Sequence, residues 1–226
     1  MQNRQKTILS FDLDFTLINN RKGIVNSFNY ALRKFNLPEV HKSVIEKMIG
    51  IPLNDMFAEF TDLDPSKLSL SFREFYGAKG IYQSKLLPGV KNKLKELRDY
   101  GFQLGVVTSK KQELAKKIAE YLNIDRFFNY ILGESDQIES KLDPNLKLIL
   151  YEKNPGSEFI IIGDHPKDAL LSKSLKCPFI GVLTGSHDEE SLRKARENDK
   201  LALILKNVKQ ITVEMINKLM NDFKLK

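Results

Sequence analysis

Apolar strand-like runs that alternate with amphipathic segments, broken once by a long purely helical stretch, predict an α/β protein. The expected fold is a mostly parallel sheet core with an inserted all-helical domain. Three observations carry this. Between residues 18 and 86 apolar positions recur at helical spacing with no convincing strand. From Pro88-Gly89 onward, strand and helix patterns alternate, the mark of βαβ units. Each strong apolar run also ends in a polar residue or cluster, on the rim where parallel sheets hold ligands.

The elements follow in order. Lys6-Thr7-Ile8-Leu9-Ser10 is a short β-prone run. Ile24, Val25, Phe28, Ala31, Leu32 and Phe35 share one helical face, so 24–36 is a helix, which Pro38 is expected to close. Further helices are expected near 41–49 and 53–60, then over 65–84, where Asp64-Pro65 supplies an N-cap and a first-turn proline. After a helix at 90–100 comes the buried-type strand Phe102–Val107. A helix at 111–122, a strand at 127–131 and a helix at 144–152 opened by Asp143-Pro144 come next. Phe159-Ile160-Ile161-Ile162 is a fully apolar strand with a helix from about 166. Strands at 179–182 and 201–204 alternate with helices at 189–197 and 212–223. The boundaries read as 1–17 and 87–226 for the α/β core and 18–86 for the helical insertion.

Composition limits the function classes. The 226 residues, 42% hydrophobic and 29% charged, suffice for a sizeable core. No apolar run approaches the ~20 residues that cross a bilayer, and Met1-Gln2-Asn3-Arg4-Gln5-Lys6 lacks the apolar stretch of a signal peptide. A cytoplasmic protein without a membrane partner is expected. Cys177 is the only cysteine, which excludes an internal disulfide and a cysteine-built zinc site; it reads as a buried inert thiol. The net charge of +7 would suit nucleic acid, but the 36 Lys and Arg residues are spread along the chain without a dense basic block. No nucleic-acid partner is expected; a solvated surface is the plain explanation of this charge, and a preference for anionic small molecules the next.

Asp12 and Asp14, one residue apart at the end of the first strand, stand where burial is favoured. Two like charges there repel unless a cation or a proton neutralises them. They read as a nucleophile and an acid/base beside a metal ion, or as turn residues capping a strand. Two later strands end in Thr108-Ser109-Lys110 and in Gly163-Asp164-His165-Pro166-Lys167-Asp168.

Asp12-x-Asp14-x-Thr16, Thr108, Lys141 and Gly163-Asp164-x-x-x-Asp168 resemble, in order, the four motifs of the haloacid dehalogenase-like superfamily. The helical insertion is similar to its C1 cap, and Gly50-Ile51-Pro52-Leu53 and Leu87-Pro88-Gly89-Val90 resemble the phosphoglycolate phosphatase-like branch. The resemblance implies a Rossmann-like core and a Mg²⁺-dependent phosphatase for a small phosphorylated metabolite, working through an aspartyl-phosphate. Asp12 would be the nucleophile and Asp14 the acid/base. Asp12, the carbonyl of Asp14, Asp164 and Asp168 would hold Mg²⁺ directly or through its shell. Thr108, the amide of Ser109 and Lys141 would bind the phosphoryl oxygens. A phosphomutase of the β-phosphoglucomutase type, or a binding protein that keeps the fold without turnover, is the alternative. The branch is compatible with a monomer or a homodimer.

Phe15 stands where most relatives have glycine, and Lys141-Leu142-Asp143-Pro144 departs from relatives in which proline follows the lysine directly. Asp164 is open to a plainer reading as the cap of the following helix, Asp168 as a partner of its dipole, and Lys141 as a surface lysine. His165 could serve as an extra acid/base, while His41 and His187 read as surface residues. Arg21, Lys22 and the Gly50–Leu53 turn could face substrate or solvent.

Overall fold

The computed structural model describes residues 7–197 and 199–225. The leader 1–6, read as lacking a signal-peptide core, lies outside them. Contacts divide the chain into two units: one runs up to Ile18 and resumes at Leu86, and the other is Asn19–Lys85.

The first unit is a six-stranded sheet. Its strands are β1 (Thr7–Phe11), β4 (Gln103–Lys111), β5 (Tyr130–Glu134), β6 (Glu158–Gly163), β7 (Phe179–Val182) and β8 (Ala202–Leu205), in spatial order β5-β4-β1-β6-β7-β8. Every neighbouring pair is parallel. β1 lies centrally: the chain first builds outward from it through β4 to β5, then returns to β6 on its other side. That reversal opens a crevice beyond the carboxyl ends of β1, β4 and β6. β6 is buried along Phe159–Gly163, as its unbroken apolar run requires of a strand covered on both faces. Ile8, Phe159 and Ile161 pack with Leu146 and Leu150 of α7 (Pro144–Lys153) and with Ala169 and Leu171 of α8 (Pro166–Ser174). α5 (Val90–Asp99), α6 (Gln112–Tyr121), α9 (Glu189–Ala195) and α10 (Val213–Lys224) complete the helices of this unit.

Several boundaries differ from the sequence pattern. β5 begins later than expected because Asp125–Phe127 winds into a 3₁₀ turn that buries Phe127. Tyr130 then reaches across β4, where Gly105 leaves room for its ring, and shares a 2.5 Å hydrogen bond with Ser10 of β1. β4 extends to Lys111, so Thr108 lies inside the strand, at a register shift between Val107 and Lys111. Such an irregularity re-aims side chains at a strand's end.

The second unit packs α1 (Arg21–Lys34), α2 (Lys42–Met48), α3 (Leu53–Ala58) and α4 (Pro65–Phe75) around Phe28, Leu32, Ile45, Phe57 and Leu68. The rings of Phe28 and Phe57 stack at 4.2 Å. Asp64 caps α4 by accepting from the Ser66 amide, as Asp143 caps α7 from Asn145. α1 ends at Lys34, two residues before the expected 36, and Asn36, with a φ of 57°, turns the chain ahead of Pro38 while the amides of Asn36 and Leu37 bond the Arg33 and Leu32 carbonyls. The single helix expected over 65–84 breaks at Tyr76–Gly80 into a π-turn, then a 3₁₀ turn. Gly77 and Gly80 weaken the helix there, and α1 crosses so closely that a Cβ on Gly23 would lie 2.3 Å from the Gly80 carbonyl oxygen. Against the expectation of no strand over 18–86, two two-residue strands pair with each other: β2 (Ile18–Asn19) and β3 (Lys85–Leu86).

Candidate active site

Parallel strands in register deliver side chains to a common rim, and the loops after β1, β5 and β6 meet there. The amide of Asp12, just past β1, donates to the carbonyl of Ile162 in β6 at 2.7 Å, so the two strand ends advance together. Asp12, Asp164 and Asp168 are buried, with carboxylate oxygens within 4.8 Å of one another. Lys141 is no surface lysine. It is buried in the β5–α7 loop and donates to Asp12 Oδ1 and, at 2.6 Å, to Asp168 Oδ1. Asp143 steadies that loop by accepting from the amides of Glu139 and Asn145. The departure at Leu142-Asp143-Pro144 therefore still presents the lysine inward.

The electrostatics follow from burial. Desolvation pushes Asp12 well above the usual carboxylate range; Lys141 opposes this, and Asp168, Asp164 and Asp14 reinforce it. Asp164 is pushed up to about 7 by burial and by Asp168, against the 2.8 Å hydrogen bond donated by Thr16 and the charge of Lys141. Burial alone would pull Lys141 down, but Asp12 and Asp168 overcome it and hold the ammonium firmly charged. Three carboxylates face one ammonium, and a divalent cation would balance the remaining negative charge. Carboxylate oxygens alone are the donor set that hard cations prefer.

Asp14 stands apart from the trio. It is half-buried, and its carboxylate pairs with Lys110 Nζ at 3.0 Å. Thr108 is buried, and its hydroxyl accepts from the Lys110 amide at 3.2 Å; the Ser109 side chain is exposed. Asp164 does not cap α8. His165 does: its ring accepts from the Lys167 amide while Asp168 Oδ2 accepts from the His165 amide at 3.1 Å. Burial and His187 push His165 down to about 4, so its ring is neutral at pH 7. His187 is half-buried against it rather than a surface residue, with ring centroids 4.3 Å apart. Cys177 is buried, and desolvation pushes its thiol up to about 12.

Four participants were given no role from the sequence, although Thr16 and Lys110 stood within the quoted motifs. Lys110 pairs with Asp14, and Thr16 bonds Asp164. Thr184, just past β7, donates to the Phe15 carbonyl at 2.5 Å. Gly185 lies against Asp164, where a Cβ would come within 1.9 Å of Oδ2. The strand-end rule that marks Asp12 and Asp164 also reaches Leu183-Thr184-Gly185 after the apolar run Phe179–Val182.

The helical unit has a cavity of about 400 Å³ lined by Arg21, Lys22, Lys42 and Lys85 with Glu46 and Asn26. The Gly50–Leu53 turn is not part of its lining. Among the described residues, no helix is long and apolar enough to cross a membrane.

Residues 9–182 match the family described as haloacid dehalogenase-like hydrolase. The 5'-nucleotidase of Pseudomonas aeruginosa is 30% identical over 188 residues, covering 81% of this chain and 85% of that protein. The phosphoglycolate phosphatase of Vibrio parahaemolyticus is 28% identical over 198 residues, covering 82% and 87%. Among solved structures, a haloacid dehalogenase-like family hydrolase from Streptococcus pneumoniae superposes with a TM-score of 0.77 at 26% identity, over 95% of this chain and 98% of that one.

Proposed function

This chain belongs to the haloacid dehalogenase-like hydrolase family, and from that premise we propose that it is a Mg²⁺-dependent phosphoric monoester hydrolase for small phosphorylated metabolites. The observation that carries the reading is the convergence of Asp12, Lys141, Asp164 and Asp168, with Asp14 of the β1 loop paired to Lys110 at the end of β4. Phosphatases among the relatives support the reaction class.

Asp12, Asp164 and Asp168, with the Asp14 carbonyl, would hold the cation, which when bound offsets charge on the phosphoryl oxygens. The remaining work falls to the chain's own groups. Asp12 attacks phosphorus to form an aspartyl-phosphate, and its ionised form is favoured by Lys141. Asp14 gives its proton to the leaving oxygen, then takes one from the water that cleaves the intermediate. Lys141, the Thr108 hydroxyl and the Ser109 amide would receive the phosphoryl oxygens. The helical unit Asn19–Lys85 would act as a cap, and the cationic lining of its cavity suits an anionic metabolite.

The test is hydrolysis of an aryl phosphate with and without Mg²⁺ by the wild type and by Asp12→Asn. Mg²⁺-dependent turnover that falls at least about a thousandfold in the variant is expected. A folded wild type that binds Mg²⁺ and turns over nothing would sink the reading.

A further inference from the structure

The loop after β7 is held against the β1 loop, 169 residues away in sequence. Phe15, which follows Asp14, has a φ of 59°. Left-handed backbone of this kind strains a bulky residue and persists only where surroundings over-determine it. Here they do. The Phe15 amide donates to the Ile18 carbonyl at 2.8 Å, and the amides of Leu17 and Ile18 both donate to Leu13 at 3.0 and 3.1 Å. The Phe15 carbonyl accepts from Thr184 Oγ1. The neighbour of Thr184, Gly185, packs on Asp164, which in turn accepts from Thr16 of the same turn. One loop thus braces both the turn that carries Asp14 and the carboxylate beside it.

We infer that Thr184 is a positioning residue for Asp14: its hydroxyl fixes the left-handed Phe15 turn that aims the Asp14 carboxylate at the leaving oxygen. The inference rests on the phosphatase reading above. Thr184 touches neither the acidic trio nor Lys141 in any hydrogen bond among those described, so its effect reaches the site through the turn. Thr184 anchors the peptide between Phe15 and Thr16. Losing that anchor lets the turn relax, and a proton donor displaced by a fraction of an ångström loses its alignment.

The experiment compares Mg²⁺-loaded wild type, Thr184→Val and Thr184→Ser on phenyl phosphate, whose leaving group needs a proton, and on dinitrophenyl phosphate, whose leaving group does not. The quantity compared is kcat/KM, which reports the first phosphoryl transfer. With general acid catalysis worth about a hundredfold or more, Thr184→Val is expected to lose about tenfold or more on phenyl phosphate. It should lose less than about threefold on the activated ester, because there the proton is dispensable. Both esters are compared at saturating Mg²⁺, so a change in cation affinity does not enter the ratio, and Thr184→Ser recovers the loss. Adding Phe15→Gly, to which this backbone comes without strain, should shrink the effect of Thr184→Val; it also serves as the background if the single variant folds poorly. Equal losses on both esters, or none, overturn the inference while leaving the phosphatase reading intact. A wild type inactive on both esters fails the phosphatase reading, and the inference with it.

Discussion

In the sheet unit, Asp12, Lys141, Asp164 and Asp168 are buried, with Lys141 bonded to Asp12 and Asp168 and Asp164 to Thr16; in the helical unit, Arg33–Glu39 and Lys34–Glu74 pair in solvent over an apolar interior of Phe28, Phe57 and Leu68. Exposed pairs are worth roughly 0–1 kcal/mol, whereas breaking a buried pair costs about 3–5 kcal/mol. The helical unit is therefore stabilised by its packing, and its charges are free to serve recognition. The sheet unit holds its charges against desolvation, a cost tolerated where chemistry requires it. Similar residue types thus do opposite work, and burial is what separates them.

The sharpest way to break this contrast is Lys141→Met, which leaves Asp12 and Asp168 buried without their cation. A loss of about 3–5 kcal/mol in urea unfolding is expected together with loss of phosphatase activity; a variant as stable as wild type would remove the distinction. In the helical unit, Phe57→Ala should cost about 3–5 kcal/mol through cavity formation. Isothermal titration with Mg²⁺ should nevertheless give an unchanged affinity for the folded variant.

The pH dependence separates the units further. Without divalent cation, Asp164 keeps its proton up to about 7 when folded, whereas an unfolded aspartate releases it near 4. The folded chain then binds more protons, so stability falls as pH rises through that window. Asp12 acts in the same direction. His165, pushed down to about 4, opposes them below about 6.5, where two carboxyls still outweigh one imidazole. Melting in a chelator should show this decline, Mg²⁺ should reverse it at neutral pH, and Asp164→Asn should flatten it. A chelated wild type whose stability rises steadily from pH 4.5 to 7 would contradict it. The smallest expected effect is Gly185→Ala, whose methyl group displaces Asp164 and should weaken Mg²⁺ binding about 10–100-fold with little change in melting.

Elements governed by local chemistry were legible in the sequence. The apolar run of β6, the Asp64-Pro65 and Asp143-Pro144 helix starts and the alternation after Pro88 all express their structure within a few residues. Features decided by tertiary contact were not. The break after Phe75 answers the close passage of Gly23, and the start of β5 follows from the burial of Phe127. The site divides in the same way. The strand-end carboxylates announce themselves because acidic residues rarely follow apolar runs without cause. The bond from Thr184 to Phe15 carries no local trace, since its two ends lie 169 residues apart. The glycine-like backbone at Phe15 was visible only as an oddity of residue type, and its conformation explains why glycine suits that position.

Asp168 has a further consequence. One of its oxygens closes the first turn of α8 and the other holds Lys141. Asparagine would turn one of those acceptors into a donor facing a donor, and glutamate would overreach both. Among the twenty side chains, aspartate alone supplies two acceptors at that reach, so one side chain serves two separate contacts. Changes that unsettle Pro166 or Lys167 would be transmitted through Asp168 to Lys141 and on to Asp12. The outward turn of α8 is thereby mechanically tied to the acidic cluster it borders.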